Sequence, residues 1–174
     1  MIQIKTTTPT GTLNSGSARA CWVRLTCGLR GMAAALVMTW LAAGPVQAQV
    51  QQLPTIELSA GMHRIEAEVA ATPDQRQIGL MNRPTMPPNH GMLFVFEGPG
   101  MHCFWMRNTL LPLSIAFLRD DGQIVNIADM QPQNDTSHCP REPVRYALEM
   151  NQGWFAKRGF KPGDRIGGAP FAKK

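Results

Sequence analysis

The chain has 174 residues, with 17 Lys and Arg against 12 Asp and Glu, and 44% of its residues are hydrophobic. Four of the basic residues lie within the first 30 positions, which hold no acidic residue, so 13 basic and 12 acidic side chains remain in the rest of the chain. This length suits one domain, and the near-neutral remainder argues against a nucleic-acid partner.

The first 48 residues have the order of a cleavable signal peptide. A basic segment ends at Arg30, an apolar run covers 32–43, and Val46-Gln47-Ala48 offers the small residues that signal peptidase requires. The run holds about a dozen residues, short of the roughly 20 that cross a bilayer, which argues against an anchoring helix. We therefore predict cleavage after Ala48, export to the periplasm and no transmembrane segment in the mature protein. The pattern fits a translation start at Met1 or close to the apolar run.

The mature chain is predicted to begin with a tail, a strand and a helix. Residues 49–54 are polar and turn-rich, and we expect a single domain over 55–174. From His63 to Ala70, apolar and charged side chains alternate, which is typical of a half-exposed strand. Thr72-Pro73-Asp74-Gln75 combines an N-cap, a Pro at the first helical position and a capping-box Gln, and it predicts a short helix over 73–81.

Apolar segments in the middle of the chain predict three more strands. Residues 92–96 form a short apolar run ended by Gly and Pro, and residues 102–107 follow as a further strand. Residues 110–118 are apolar on both faces, as a central strand requires. Pro112 must lie at the entry of that strand or at a bulge, because it cannot donate a ladder hydrogen bond.

Asp121-Gly122 predicts a tight hairpin, because both residue types tolerate the positive φ of a two-residue primed turn. Such a loop would pair Leu118 with Val125 and Ala116 with Ile127.

The last third of the chain completes the predicted fold. A long loop over 131–143 precedes an alternating strand over 144–150, one helical turn over 151–158 and a last short strand after 164. Together these patterns predict a mainly β fold: a compact single-domain sandwich or barrel-like structure of seven or eight short strands with one or two short helices.

Seven short motifs run in order from about Ile56 to Ile166: Gln77-Ile78-Gly79-Leu80-Met81, Gly91-Met92-Leu93-Phe94, Phe104-Trp105-Met106-Arg107-Asn108-Thr109, Pro112-Leu113, Gly122-Gln123-Ile124-Val125, Leu148-Glu149 and Gly163-Asp164. This succession resembles the bacterial family called domain of unknown function 192 (DUF192), and the Phe-Trp-Met-Arg-Asn-Thr stretch is specific. The resemblance implies a single small all-β domain, often exported, with no established activity. Such proteins commonly carry Asp after the Pro-Leu pair, where this chain has Ser114.

Cys103 and Cys139 are the only cysteines of the predicted mature chain. An oxidising compartment favours a disulfide between them. The alternative is two separate thiols.

The chain shows no pattern that predicts a metal, a cofactor or a known reaction. Copper would suit imidazole and thioether ligands, but the spacing of the candidate residues matches no copper loop, and core packing explains the methionines: His90, His102, His138, Met92, Met101 and Met106. The sequence contains no G-x-S-x-G and no H-E-x-x-H. We therefore predict an exported ligand-binding or interaction module, with an enzyme of unknown reaction as the alternative.

Four residues are the candidates for ligand binding: Trp105, Arg107, Asn108 and Glu149. A planar Arg beside an indole can clamp a carboxylate or a phosphate, so the expected partner is a small anionic ligand or another protein. The alternative interpretation is that Arg107 and Glu149 form a structural ion pair.

Overall fold

A computed structural model describes residues 50–171, so the predicted signal peptide lies outside the described residues. The described part contains six strands and two short helices: β1 (Thr55–Ala60), β2 (His63–Ala70), α1 (Pro73–Ile78), β3 (His90–Gly100), β4 (Leu113–Leu118), β5 (Ile124–Met130), β6 (Val144–Asn151) and α2 (Trp154–Lys157). The predicted mainly β class is confirmed. Between residues 50 and 171 no helix has the length and apolar character needed to span a membrane.

All six strands form one mixed sheet in the order β1-β2-β3-β6-β4-β5. β2 and β3 are parallel, with α1 in their connection, and all other neighbours are antiparallel. β6, the last strand in the chain, pairs with both β3 and β4 and therefore lies inside the sheet. This position buries both faces of β6, although its sequence alternates like a strand with one exposed face.

Each face of the sheet has its own apolar core. On one face, Leu148 packs with Phe155 of α2 and with Ile166 from the C-terminal segment. On the other face, Phe117 packs with Phe104 from the segment that precedes β4. Two apolar faces explain why β4 is buried at all six positions, and this strand is central as predicted.

The structure has fewer strands than the predicted seven or eight, because two predicted strands are reduced to isolated bridges. Residue Phe104 of the predicted strand 102–107 forms a bridge with His138. The C-terminal segment bridges β1 through Gly167 and Ser59, and it also pairs with the start of β5. The sheet is not a closed barrel, but this segment links its two edges.

The β4–β5 hairpin has a three-residue loop rather than the predicted two-residue turn. The Gly122 N–H donates to the Arg119 carbonyl, and Gly122 has a φ of +77°, as in a type I turn followed by a left-handed residue. Ala116 pairs with Ile127 as predicted, but a bulge at Val125 places Ile124 opposite Leu118. The predicted pairing of Leu118 with Val125 is therefore wrong.

Candidate functional site

Glu149 is a carboxyl group buried in the middle of the sheet. It lies on β6, with Met92 of β3 and Ile115 of β4 directly opposite it, and it is 4% exposed. Cross-strand partners share a face, so the carboxyl lies between two apolar side chains. Burial raises the pKa of Glu149 to about 7, because low-dielectric surroundings disfavour the charged form. No residue between 50 and 171 donates a hydrogen bond to this carboxyl.

The segment around Trp105 covers this face of the sheet. Phe104 exchanges two backbone hydrogen bonds with His138, and the Met106 N–H donates to the Asn134 carbonyl at 2.8 Å. The predicted disulfide between Cys103 and Cys139 is present in the structure. These links hold the segment 103–109 against the loop 131–139; we call the two together the cover layer.

Trp105 belongs to the cover layer, and its indole N–H is buried. This N–H has no hydrogen-bond partner among the described residues. A buried donor without a partner is uncommon in folded proteins, and it marks a place where water or a ligand group completes the structure.

Helix α1 supplies a third buried polar group, Arg76. Its capping box is formed as predicted, but the helix ends at Ile78 because Gly79 has a φ of +51°, a region that favours glycine. The Arg76 Nη1 donates to the Val95 carbonyl at 2.8 Å, and Nη2 contacts Glu97 at 3.1 Å. The buried Nε–H has no partner among the described residues.

A narrow cleft joins these groups. Its volume is about 10 Å³, close to the minimum that holds one water molecule. Nine residues line it: Arg76, Gln77, Ile78, Gly79, Leu80, Phe94, Trp105, Thr109 and Glu149. The side chains that carry the carboxyl and the two N–H groups, none with a hydrogen-bond partner among residues 50–171, therefore line one small space, which we call the Glu149 cleft.

The structure brings together Trp105 and Glu149, but not the other two predicted site residues. Asn108 is exposed and has a φ of +56°, and its carbonyl accepts from the Asn82 N–H at 2.8 Å. Neither Asn108 nor Arg107 lines the Glu149 cleft.

The alternative interpretation of Arg107 and Glu149 as an ion pair is wrong. Arg107 donates from Nε and Nη2 to the two carboxylate oxygens of Asp135, each at 2.9 Å. These hydrogen bonds raise the pKa of Arg107 and lower the pKa of Asp135. The guanidinium also lies 4.2 Å from the centre of the Trp105 ring. Arg107 is therefore a surface residue of the cover layer that stacks on Trp105.

Sequence reasoning missed Arg76 as a site residue. Its position in the helix did not indicate a buried site residue, because a charged side chain on a short amphipathic helix is usually solvated. The motif Gln77-Ile78-Gly79-Leu80-Met81 contained the neighbouring part of the cleft, but nothing in it indicated that the helix lies beside Glu149. That proximity depends on the parallel pairing of β2 with β3.

The candidate metal ligands are dispersed. Across residues 50–171 no group of three His, Cys, Asp or Glu side chains is placed to hold a metal ion. His102 stacks on Phe96 at 3.6 Å between ring centres, while Met92 and Met106 are buried in the core beside the cover layer.

Ser114 has a structural environment on the opposite face of the sheet. Its hydroxyl donates to Asp129 of β5 at 2.5 Å and accepts from the Gly153 N–H at 2.8 Å, at the start of α2. A carboxylate therefore lies beside position 114, but Asp129 of the neighbouring strand supplies it.

Comparison with known proteins gives the chain a family. The model of the DUF192 family, described as "Uncharacterized ACR", matches residues 55–168. The chain belongs to the DUF192 family. The match includes every residue that lines the Glu149 cleft. No curated protein sequence matches the chain.

Two solved structures are similar to this DUF192 protein. One is a protein from Sinorhizobium meliloti 1021, described as a proposed transcription regulator; it is 41% identical with a TM-score of 0.62, and the match covers 65% of this chain and 91% of that one. The other is a protein of unknown function from Novosphingobium aromaticivorans DSM 12444; it is 35% identical with a TM-score of 0.65, and the match covers 73% and 94%. The sequence resemblance is therefore confirmed.

Proposed function

We propose that this DUF192 protein is an exported module that binds a small ligand at the Glu149 cleft. One observation carries the proposal: a buried carboxyl and two buried N–H donors, none with a hydrogen-bond partner among residues 50–171, belong to side chains that line the same cleft. Each buried polar group without a partner lowers the free energy of unfolding by about 1–3 kcal/mol. A ligand that satisfies all three groups would recover that cost.

Binding fits the cleft better than catalysis. A carboxyl with a pKa near 7 suits general acid or base chemistry. However, Glu149 is the only carboxyl among the nine lining residues, and the Thr109 hydroxyl is directed to the Arg107 carbonyl at 3.4 Å. The cleft therefore offers a recognition site with one titratable acid, rather than a nucleophile beside a base.

The indole N–H of Trp105 provides a direct test of binding. We expect a low-molecular-mass extract of the periplasm to shift the ¹⁵N–¹H signal of this indole, assigned with a Trp105→Phe variant. Trp154 is the internal reference, because its indole N–H already donates to Asn89 at 3.2 Å. Glu149→Leu should abolish the shift, and Glu57→Gln, a change at an exposed carboxyl outside the cleft, should retain it. An extract that leaves the Trp105 signal in place would refute the proposal.

Export is the second part of the proposal. It rests on the basic, apolar and small-residue order of the first 48 residues, and a disulfide suits an oxidising compartment. Cell fractionation should recover the protein from the periplasm, and N-terminal sequencing should read Gln49 or a residue within two of it. Protein that stays in the cytoplasm with an intact leader would contradict export.

A further inference from the structure

We infer that the Glu149 cleft binds a neutral group that both donates and accepts hydrogen bonds, namely a hydroxyl at the end of a small molecule. The inference rests on the proposed function and names the chemistry of its ligand. It follows from the polar groups of the cleft, from their charges and from the available space.

The polar groups of the cleft require both a hydrogen-bond acceptor and a hydrogen-bond donor. The buried N–H groups of Trp105 and Arg76 can only donate, so they require an acceptor. Glu149 can accept through its carboxylate oxygens and thus requires a donor when ionised. A hydroxyl has an oxygen that can accept from the two N–H groups and a proton that it can donate to the carboxylate. A primary carboxamide offers the same combination, but its three heavy atoms exceed the space of one water-sized group.

Charged ligand groups match the cleft poorly. An ammonium group has no acceptor, so it would leave both N–H groups unpaired beside the guanidinium of Arg76. A carboxylate would bring a second negative charge to Glu149. A neutral group avoids both conflicts. Because burial brings the pKa of Glu149 to about 7, both forms of this carboxyl exist near neutral pH, and a hydroxyl can hydrogen bond to either form.

The structure removes the reason to expect an anionic ligand. That expectation depended on the charge of Arg107, which Asp135 neutralises through two hydrogen bonds.

The space of the cleft restricts the ligand to its terminal group. A volume of about 10 Å³ holds about one water-sized group. The rest of the ligand must lie at the mouth of the cleft, where Ile78 is 39% exposed. This arrangement favours a polar end group on a short apolar stem.

Four three-carbon probes separate the possible chemistries: propionamide, 1-propanol, propylammonium and propionate. Each is titrated into the full chain while the indole signals of Trp105 and Trp154 are followed. We expect 1-propanol to shift the Trp105 signal in a saturable way without moving Trp154. Propionamide, which is too large for the cleft, and the two charged probes should leave both signals unchanged at equal ionic strength. Glu149→Leu should abolish the shift, whereas Glu57→Gln, a change at an exposed carboxyl of β1, should keep it.

The outcomes are distinct. A saturable effect of 1-propanol alone supports a hydroxyl. Saturable binding of propionamide, propylammonium or propionate in place of 1-propanol would overturn this inference, yet it would leave a ligand-binding cleft. If none of the four probes moves the Trp105 signal, the cleft holds solvent only, and both the inference and the proposed binding site are wrong.

Discussion

Glu149 is the residue on which the chemistry of the cleft depends. The sequence of β6 gives no reason to expect a buried side chain at this position, since Arg145, Ala147 and Glu149 alternate with the apolar residues of the strand. The side chain is nevertheless 4% exposed, because β6 lies between β3 and β4 and the cover layer closes this face. Desolvation then keeps the carboxyl partly protonated near neutral pH.

The raised pKa of Glu149 predicts how stability depends on pH. The folded protein holds this proton up to about pH 7, whereas the unfolded chain releases it near pH 4.5. The folded state therefore binds more protons between these values, and the free energy of unfolding falls as the pH rises through this window. A rise of the pKa from 4.5 to about 7 corresponds to roughly 3 kcal/mol.

Glu149→Gln should remove this pH dependence. We expect the stability of the variant relative to the wild type to increase by about 3 kcal/mol between pH 4 and pH 8, because Gln carries no buried charge. Urea unfolding at several pH values measures the difference. Glu57→Gln, which alters a largely exposed carboxyl, is the control. A difference that stays constant over the range would mean that Glu149 titrates normally.

Arg107 should be energetically coupled to Asp135 and not to Glu149. Its guanidinium contacts Asp135 through two hydrogen bonds, whereas Glu149 lines a cleft that Arg107 does not reach. Two double-mutant cycles test this, one with Arg107→Met and Asp135→Ala, the other with Arg107→Met and Glu149→Leu. We expect a small coupling in the first cycle, as is usual for exposed pairs, and none in the second. Coupling to Glu149 alone would contradict the structure.

At the scale of elements, the sequence predicted the features that depend on neighbouring residues. The capping box of α1 and the alternation of β2 depend on neighbouring residues, and both are present in the structure. The hairpin register was predicted only in part, because the position of the bulge at Val125 depends on the three-residue loop. The insertion of β6 between β3 and β4 pairs residues far apart in sequence, and no local pattern contains it.

The contact between β3 and β6 leaves no room for a side chain at Gly91. A Cβ there would lie 2.4 Å from the Glu149 carbonyl oxygen and 2.4 Å from the Met150 sulfur. We therefore expect Gly91→Ala to lower the free energy of unfolding by about 1–3 kcal/mol, as overpacking usually does. Because the clash involves the backbone of Glu149, the Trp105 indole signal should shift as well.

Gly98→Ala is the matched control for Gly91→Ala. Gly98 lies on the same strand, and a Cβ there has no atom within 4 Å. Its effect should stay within about 0.5 kcal/mol. Chemical denaturation of both variants gives the comparison, and equal losses would show that strand propensity decides the result rather than the β3–β6 contact.

At the scale of the whole molecule, two connections close the fold. The C-terminal segment joins the edges of the sheet through Ser59 and through the start of β5, which protects edge strands from pairing with other chains. The disulfide joins the two parts of the cover layer. The composition and the cysteine count predicted the second connection, but the first pairs residues far apart in the sequence, which no local pattern predicts.

The disulfide should stabilise the cover layer more than the sheet. It closes a sequence separation of 36 residues, which is worth roughly 3–4 kcal/mol on the chain-entropy model. The sheet has its own ladder of hydrogen bonds and two apolar cores, whereas the cover layer has one isolated bridge and a few backbone hydrogen bonds. Loss of the disulfide therefore removes one of the restraints that link the two parts of the cover layer.

Hydrogen exchange of a Cys103→Ala/Cys139→Ala variant tests this difference. We expect the amides of Phe104 and Met106, which donate within the cover layer, to lose most of their protection, while Leu148 in the centre of the sheet follows only the loss of global stability. The indole N–H of Trp105 should exchange faster, and that of Trp154 should serve as the reference because Asn89 still accepts from it. Equal loss of protection at Phe104 and Leu148 would show that the cover layer and the sheet unfold as one unit. In that case the Glu149 cleft could open only when the whole domain unfolds.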